Sequence, residues 1–400
     1  MNIAIFTNNY LPNPYGVSGS IESFRKQFEK RGHTVYIFAP SYKNYRDKNS
    51  NVFRYPSLDI SYKIKFPIVI PYSLKMNKII RNLKFDIIHS QHPNLLGTAA
   101  KKWAKKKNVP LVFTWHTLYD QYTHFVPLVP KKLASKIIIG QAVKYANKAD
   151  QIIIPTPGIK DIIQKWGVKN KNIEAIATGV EEEFYQNTDR NKIRNKFNIK
   201  DNEVLLLLVS RLTQEKNIEF LFNSVIKVLK NASNIHPIEY AEGVPAKQVF
   251  NRVKFLISGD GDLVPKLKEL ANKNNLQDRI FFEDIVPKEN LKNYYSAGDI
   301  FVYASKSETQ GMIVSEAMYM GLPIVAVNAP GICDLVQNNV NGFLIPENEN
   351  EFANATQKLI DNKNFREKFS EASKKIAREN YTDTICAEKM LKVYESLIKK

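Results

Sequence analysis

Apolar positions recur along the chain in short runs: Ile3–Phe6, Val35–Phe38, Ile87–Ile88, Leu111–Phe113 and Ile152–Ile154. Segments with one polar and one apolar face separate them. Short runs alternating with amphipathic stretches predict parallel strands joined by right-handed helical crossovers. A second series begins at Val204–Val209 and continues through Phe255–Ile257, Ile280–Phe282, Ile300–Tyr303 and Ile324–Val327. The pattern predicts an α/β chain of two Rossmann-like domains, residues 1–180 and 181–382. The junction falls in the polar stretch after Gly179, near Glu181–Asn187. Asn231–Arg252, with Pro237, Gly243 and Pro245, interrupts the second series and reads as a solvated, inserted loop. The tail has helical spacing at Met390, Leu391, Tyr394 and Leu397.

Charge divides the chain unevenly. Residues 1–200 hold 33 Lys+Arg against 13 Asp+Glu, whereas residues 201–400 hold 25 against 27. A general enrichment in lysine would raise both halves, so the first half is expected to face something anionic. Its basic segments are Lys63–Lys84, Lys101-Lys102-Trp103-Ala104-Lys105-Lys106-Lys107 and Lys131–Lys136. Phe66, Trp103 and the run at 68–70 are interleaved with them. Cations beside apolar and aromatic residues describe an in-plane anchor on an anionic membrane surface; solvated helix faces are the plain alternative. Nucleic acid is not expected, because no zinc finger, RRM or KH pattern is present. Cys333 and Cys386 are isolated, which fits a reducing cytosol. Met1-Asn2-Ile3-Ala4 reads as no signal peptide, and no apolar run reaches membrane-spanning length. The expected location is cytoplasmic, peripheral on the inner face of the cell membrane.

Candidate chemistry gathers in the second half. Glu308-Thr309-Gln310-Gly311-Met312-Ile313-Val314-Ser315-Glu316 places two carboxylates around a glycine turn that opens an apolar helix. Loop amides and a helix N-terminus there suit a phosphate or a sugar hydroxyl. The strand Val204–Val209 ends in Ser210-Arg211-Leu212-Thr213-Gln214-Glu215-Lys216-Asn217, which puts two cations on another strand-to-helix loop. Arg211 and Lys216 suit a diphosphate; an exposed ion pair with Glu215 is the plainer reading. Such a set fits a nucleotide diphosphate sugar. Asp260-Gly261-Asp262 has the spacing of a D-x-D metal site, but it follows a strand of the second domain and is not read as one. Metal ligands: none. Gly16, Ser18 and Gly19 follow the first strand without the dinucleotide spacing, and an ordinary turn beside Pro12 and Pro14 would also account for them. His116 follows Leu111–Phe113, and His124 lies further along the same segment. Tyr119, Tyr122 and Phe125 suit an apolar acceptor or a core.

In order, Arg211…Glu215-Lys216-Asn217, Gly259-Asp260-Gly261 and Glu308…Glu316 resemble the C-terminal half of the family-four retaining glycosyltransferases of GT-B fold. The first strand, its glycine loop and Arg31-Gly32-His33-Thr34-Val35 extend the resemblance over nearly the whole chain. Thr114–His124 looks most like bacterial enzymes that glucosylate diacylglycerol. The resemblance implies two domains facing each other across a cleft, with the last helix, 383–400, crossing back to the first. It implies Glu308 on sugar hydroxyls, Glu316 on ribose and His116 towards the donor sugar. It also implies Gly16, Ser18, Gly19, Gly259, Asp260, Gly261, Thr309, Gln310, Gly311, Met312 and Ile313 around the donor. It implies front-face displacement with retention, a nucleotide-sugar donor such as UDP-glucose, a lipid acceptor such as diacylglycerol and no obligatory cofactor. A polyprenyl-linked or soluble glycan acceptor stands as the alternative, as does a non-catalytic basic binding protein of degenerate fold.

Overall fold

The computed structural model describes residues 1–13, 16–58, 67–121, 131–231 and 252–399; the side chains of 121, 131, 132 and 231 are outside the description. The calls on Tyr122, His124, Phe125, Phe66, Lys63 and Lys65 lie on residues outside it, as does the 231–252 insertion apart from its two end residues, Asn231 and Arg252. The chain divides into two compact units, Met1–Gly179 with Asp383–Lys400, and Val180–Thr382.

The first unit is built from β1 (Asn2–Phe6), α1 (Gly16–Lys30), β2 (Thr34–Pro40), β3 (Val52–Tyr55), the short pair β4 (Ser57–Leu58) and β5 (Ile68–Val69), and α2 (Leu74–Asn82). It continues through β6 (Ile87–Ser90), α3 (Leu96–Lys107), β7 (Leu111–Thr114), α4 (Lys131–Ala146), β8 (Gln151–Ile154), α5 (Gly158–Lys165) and β9 (Ile173–Ala175). The second unit holds α6 (Arg190–Lys196), β10 (Val204–Val209), α7 (Ile218–Asn231), β11 (Val253–Ser258), α8 (Val264–Lys273), β12 (Ile280–Glu283) and α9 (Lys288–Ala297). It closes with β13 (Ile300–Tyr303), α10 (Met312–Tyr319), β14 (Ile324–Val327), β15 (Gly342–Ile345), α11 (Glu349–Asp361) and α12 (Lys363–Asn380). The last helix, α13 (Asp383–Ile398), returns to the first unit.

Both main sheets are parallel. Their strand orders are β3-β2-β1-β6-β7-β8-β9 and β12-β11-β10-β13-β14-β15. Each therefore reverses direction of growth beside its first strand, between β1 and β6 and between β10 and β13. Loops leaving the carboxyl ends of those two strands diverge and open a crevice, where ligands of such sheets bind. Parallel strands covered on both faces must be apolar throughout. Every residue of Val204–Val209 is accordingly buried, as is every residue of Ile300–Tyr303.

The return of α13 to the first unit has a chemical basis. His89 on β6 joins Tyr394 Oη through Nδ1 at 2.5 Å and Thr114 Oγ1 through Nε2 at 2.6 Å. Gln27 on α1 donates to Asp383 at 2.6 Å. Counted by unit, 32 Lys+Arg stand against 12 Asp+Glu in the first and 26 against 28 in the second. Among the described residues no helix is long and apolar enough to cross a membrane.

Candidate functional site

The crevice of the second unit lies between the loop after β10 and the loop after β13. Lys216 and Glu308, 92 positions apart in sequence, meet there as an ion pair through Nζ and Oε1. Tyr303, the last residue of β13, donates its hydroxyl to the same Oε1 at 2.7 Å. Burial pushes the Glu308 carboxyl up, but the Lys216 charge and the hydrogen bonds from Lys216 and Tyr303 outweigh it. The net effect holds Glu308 below the usual carboxylate range. Two donors on Oε1 orient the carboxylate. Ser307 Oγ donates to the Glu215 carbonyl at 3.2 Å, which ties the two loops together.

Arg211 differs from Lys216. Its side chain is 53% exposed and pairs with Glu215 at 3.2 Å. The surface pairing that the sequence left open is therefore present for Arg211. A pair this exposed is weak, and the guanidinium can exchange it for a ligand phosphate.

Gly311 caps α10 in the left-handed region, with φ 78° and ψ 56°. The first amides of a helix have no partner within it, so those of Met312 and Ile313 present a positive edge. Thr309 and Gln310 lie on the turn between Glu308 and that cap, Thr309 half-buried and Gln310 buried. Gly331, which the sequence reading missed, also has positive φ. A Cβ there would stand 2.7 Å from the Glu308 carbonyl oxygen, so only glycine lets this segment back the loop.

Glu316 is buried, and Tyr295 donates to its Oε2 at 2.9 Å. Burial raises its carboxyl, against the opposing pull of Lys288 and the Tyr295 hydrogen bond. Neither Tyr295 nor Tyr303 was singled out by the sequence. The available signal was an aromatic hydroxyl in or beside an apolar run, which demands a polar partner when buried.

Gly259 and Gly261 have a structural reason to be glycine. A Cβ on Gly259 would lie 1.8 Å from the Ser210 carbonyl oxygen, and one on Gly261 would lie 2.2 Å from that of Leu212. Leu212 N–H donates to the Asp260 carbonyl at 2.8 Å, so this loop supports the Arg211 loop from behind. The Asp260 carboxylate accepts from the Gly261 amide at 2.7 Å. Among the described residues no group of three His, Cys, Asp or Glu side chains is arranged for a metal.

In the first unit, Asn8 joins the two loops at the switch point. Its backbone N–H donates to His92 Nδ1 at 3.1 Å, and its Oδ1 accepts from Leu96 N–H at 3.0 Å. His116, just past β7, lies 2.6 Å through Nε2 from Gln91 Oε1. Burial, reinforced by His92 and His89, pushes its pKa down to about 3. The ring is neutral at physiological pH, and Nε2 carries the proton because Gln91 Oε1 only accepts. Gly16, Val17, Ser18 and Gly19 form the first turn of α1. Ser18 is fully buried with its hydroxyl unpartnered among the described residues. No described atom lies within 4 Å of a Cβ built on Gly16 or Gly19. These two glycines face open space, whereas Gly259 and Gly261 face backbone.

The expected aromatic and basic anchor at 101–107 needs correction. Trp103 is 3% exposed, in the core of the first unit. It continues the inward stripe Leu96, Ala99, Ala100 and Ala104 of α3, a helical spacing that the alternation with lysine concealed. Lys106 lies over the Trp103 ring at 5.4 Å. Lys107 donates to the carbonyls of Arg81 and Leu83, both at 2.8 Å, and closes the end of α2. Lys101, Lys102 and Lys105 line a groove at the other end of the sheet from His116. Tyr119 packs edge-on to Trp115 at 5.5 Å, which supports the core reading for this residue.

Two family models cover the chain: "Glycosyltransferase Family 4" over residues 14–184 and "Glycosyl transferases group 1" over residues 189–376. An alpha-monoglucosyldiacylglycerol synthase of Streptococcus pneumoniae is 28% identical over 354 residues, covering 86% of this chain and 75% of that protein. A protein of the same name from Acholeplasma laidlawii is 28% identical over 364 residues, covering 87% and 86%. The crystal structure of Anabaena HepE in complex with UDP superposes with a TM-score of 0.75 at 17% identity, covering 99% of this chain and 100% of that one.

Proposed function

Because the chain belongs to the family-four glycosyltransferases of GT-B fold, we propose that it transfers glucose from UDP-glucose to diacylglycerol with retention at the anomeric carbon. The observation that carries the donor half is the convergence of Lys216, Glu308 and Tyr303 at the switch point of the second unit. Lys216 is paired with Glu308. When the donor enters, the ammonium turns to the diphosphate and the carboxylate accepts sugar hydroxyls. The bond from C1 to the β-phosphate oxygen breaks, and the acceptor hydroxyl oxygen attacks C1 from the same face. Its proton passes to the leaving phosphate oxygen. Charge grows on that oxygen in the transition state, and Lys216, Arg211 and the α10 amides are fixed positive groups suited to offset it. Glu316 takes the ribose hydroxyls, and His116 faces the sugar as a neutral ring, without adding charge. No obligatory metal enters this scheme.

The lipid half rests on the two relatives' names and on the first unit's surface. Leu74 is 74% exposed at the start of α2, Tyr72 is 59% exposed just before it, and Leu58 is 55% exposed on β4. Lys75, Lys78, Arg81 and Lys84 are exposed along and just beyond the same helix. Spacings of three put these cations on one side, while Met76 and Ile80 turn inward. Such a stripe suits an anionic leaflet, with the enzyme peripheral on the inner face of the cell membrane.

Crossing UDP-glucose, UDP-galactose and GDP-mannose with diacylglycerol, polyprenyl phosphate and soluble glycans tests the proposal. Formation of α-glucosyldiacylglycerol from UDP-glucose, with the anomer read by NMR, is the expected result. Transfer to a soluble glycan with no product on diacylglycerol would overturn the acceptor assignment.

A further inference from the structure

A groove of about 1170 Å³ on the first unit lies away from the residues assigned to catalysis. It is lined by residues at the amino ends of β6, β7 and β8, among them Asp86, Leu111 and Asp150. His116 lies beyond the carboxyl end of β7, about 13 Å away along a four-residue strand. Four lysines from two segments line the groove: Lys101, Lys102 and Lys105 from α3, and Lys148 from the turn after α4; Lys101 Nζ also lies 5.8 Å over the Tyr145 ring. Among the described residues none of the four has an acidic partner. The two acids present are committed elsewhere. Asp86 Oδ2 accepts from Asn2 N–H at 2.6 Å, and Asp150 Oδ2 accepts from Leu111 N–H at 2.7 Å. The groove is also partly apolar, with Phe85, Val109, Pro110, Leu397 and Ile398 on its walls. Burial lowers the Lys101 ammonium, and repulsion from Lys148 and Lys144 lowers it further.

Like charges gathered in a concave, partly apolar setting are destabilising until a counter-charge enters. We propose that this groove is a second, non-catalytic ligand site, which takes an amphiphilic phosphate: the phosphoryl group among Lys101, Lys102, Lys105 and Lys148, the apolar part against Leu397 and Ile398. A phosphate alone satisfies the lysines and leaves the apolar wall wet. A neutral lipid does the reverse. Either a membrane phospholipid or a soluble phosphorylated amphiphile carries the required chemistry. The inference is independent of which donor or acceptor the enzyme uses.

Calorimetry on the full chain tests it with water-soluble dihexanoyl phosphatidate, inorganic phosphate and dihexanoylglycerol as probes. Saturable phosphatidate binding is expected, at least about tenfold tighter than that of either other probe, as an ion pair of ~1.4 kcal/mol implies. The double variant Lys101→Ser with Lys148→Ser is expected to lose it tenfold or more. Lys160→Ser, on exposed α5 outside the groove, is expected to leave it unchanged. UDP binding by the double variant, read the same way, serves as the check that the protein is folded. No phosphatidate binding to the parent protein overturns the proposal, as does equal binding of inorganic phosphate or an equal loss in Lys160→Ser. Co-sedimentation with phosphatidylglycerol vesicles separates the sources. Loss in the double variant supports a membrane phospholipid, and unchanged sedimentation alongside lost phosphatidate binding supports a soluble amphiphile. These readouts are binding, so inactivity towards UDP-glucose or diacylglycerol leaves them intact.

Discussion

Lys216 and Arg211 carry the same charge but stand in different surroundings, so their removal has different consequences. Lys216→Ala leaves the Glu308 carboxylate buried without its cation. It is expected to abolish most activity and to lower stability by roughly 3 kcal/mol, read as a fall in Tm. Arg211→Ala frees only a surface pair with Glu215. It is expected to cost a comparable share of kcat/KM with Tm nearly unchanged. Full activity in the double Ala variant would remove the diphosphate assignment. Tyr303→Phe tests the orientation of Glu308. Losing a hydrogen bond to a charged group costs about 2 kcal/mol, so kcat/KM for the donor should fall ~30-fold. Glu308 works ionised and is held below its ordinary range. Removing Tyr303 raises it, so the acid limb of the rate profile moves to higher pH. The same sign governs stability: the contribution of Glu308 is present above its unfolded pKa and is lost as pH falls through the folded one. An unchanged acid limb in Tyr303→Phe would show that the hydroxyl does not act through Glu308. EDTA is expected to leave the rate unchanged; loss restored by a divalent cation would overturn the metal-free reading.

At the scale of elements, the glycines expected around the donor separate into two kinds. Gly261→Ala drives a methyl into the Leu212 carbonyl, and Gly259→Ala does the same at Ser210, where φ is also 145°. Each is expected to destabilise the second unit by several kcal/mol and to displace the Arg211 loop. Gly16→Ala meets open space in a helix first turn. It should leave Tm unchanged or raise it slightly. A thermal melt of the three variants distinguishes the kinds: equal destabilisation would contradict the close approach at 259–261. The helix α3 shows the same division by face. Its lysines looked uniform in sequence, yet packing turns Trp103 inward, assigns Lys107 to the end of α2 and gathers Lys101, Lys102 and Lys105 into a groove.

At the scale of the whole molecule, charge is segregated by unit, and membrane attachment should be electrostatic and confined to the first. Each interfacial cation contributes about 1 kcal/mol on anionic lipid and is screened by salt. Vesicle sedimentation is expected to rise with anionic lipid and fall with ionic strength. Changing Lys75, Lys78 and Arg81 to Ser should weaken it without altering UDP affinity. Equal binding to neutral and anionic vesicles at every salt concentration would defeat the idea.

What the sequence determined by itself was everything that repeats locally. Buried parallel strands must be apolar and their crossovers amphipathic, so two doubly wound sheets were legible from the runs at 3–154 and 204–327. Loops at the carboxyl ends of strands bind ligands, so Arg211–Lys216 and Glu308–Glu316 stood out. Only the tertiary structure decided which groups share an atom. Lys216 and Tyr303 meet on one oxygen of Glu308 because β10 and β13 are neighbours in the sheet, and no local pattern encodes that adjacency across 92 positions. Likewise the meaning of Gly259, the direction of Trp103 and the lack of an ion-pair partner for Lys101 and Lys148 among the described residues depend on which backbone or side chain arrives from elsewhere. Periodicity assigns a residue to a face; packing against distant segments determines what that face meets.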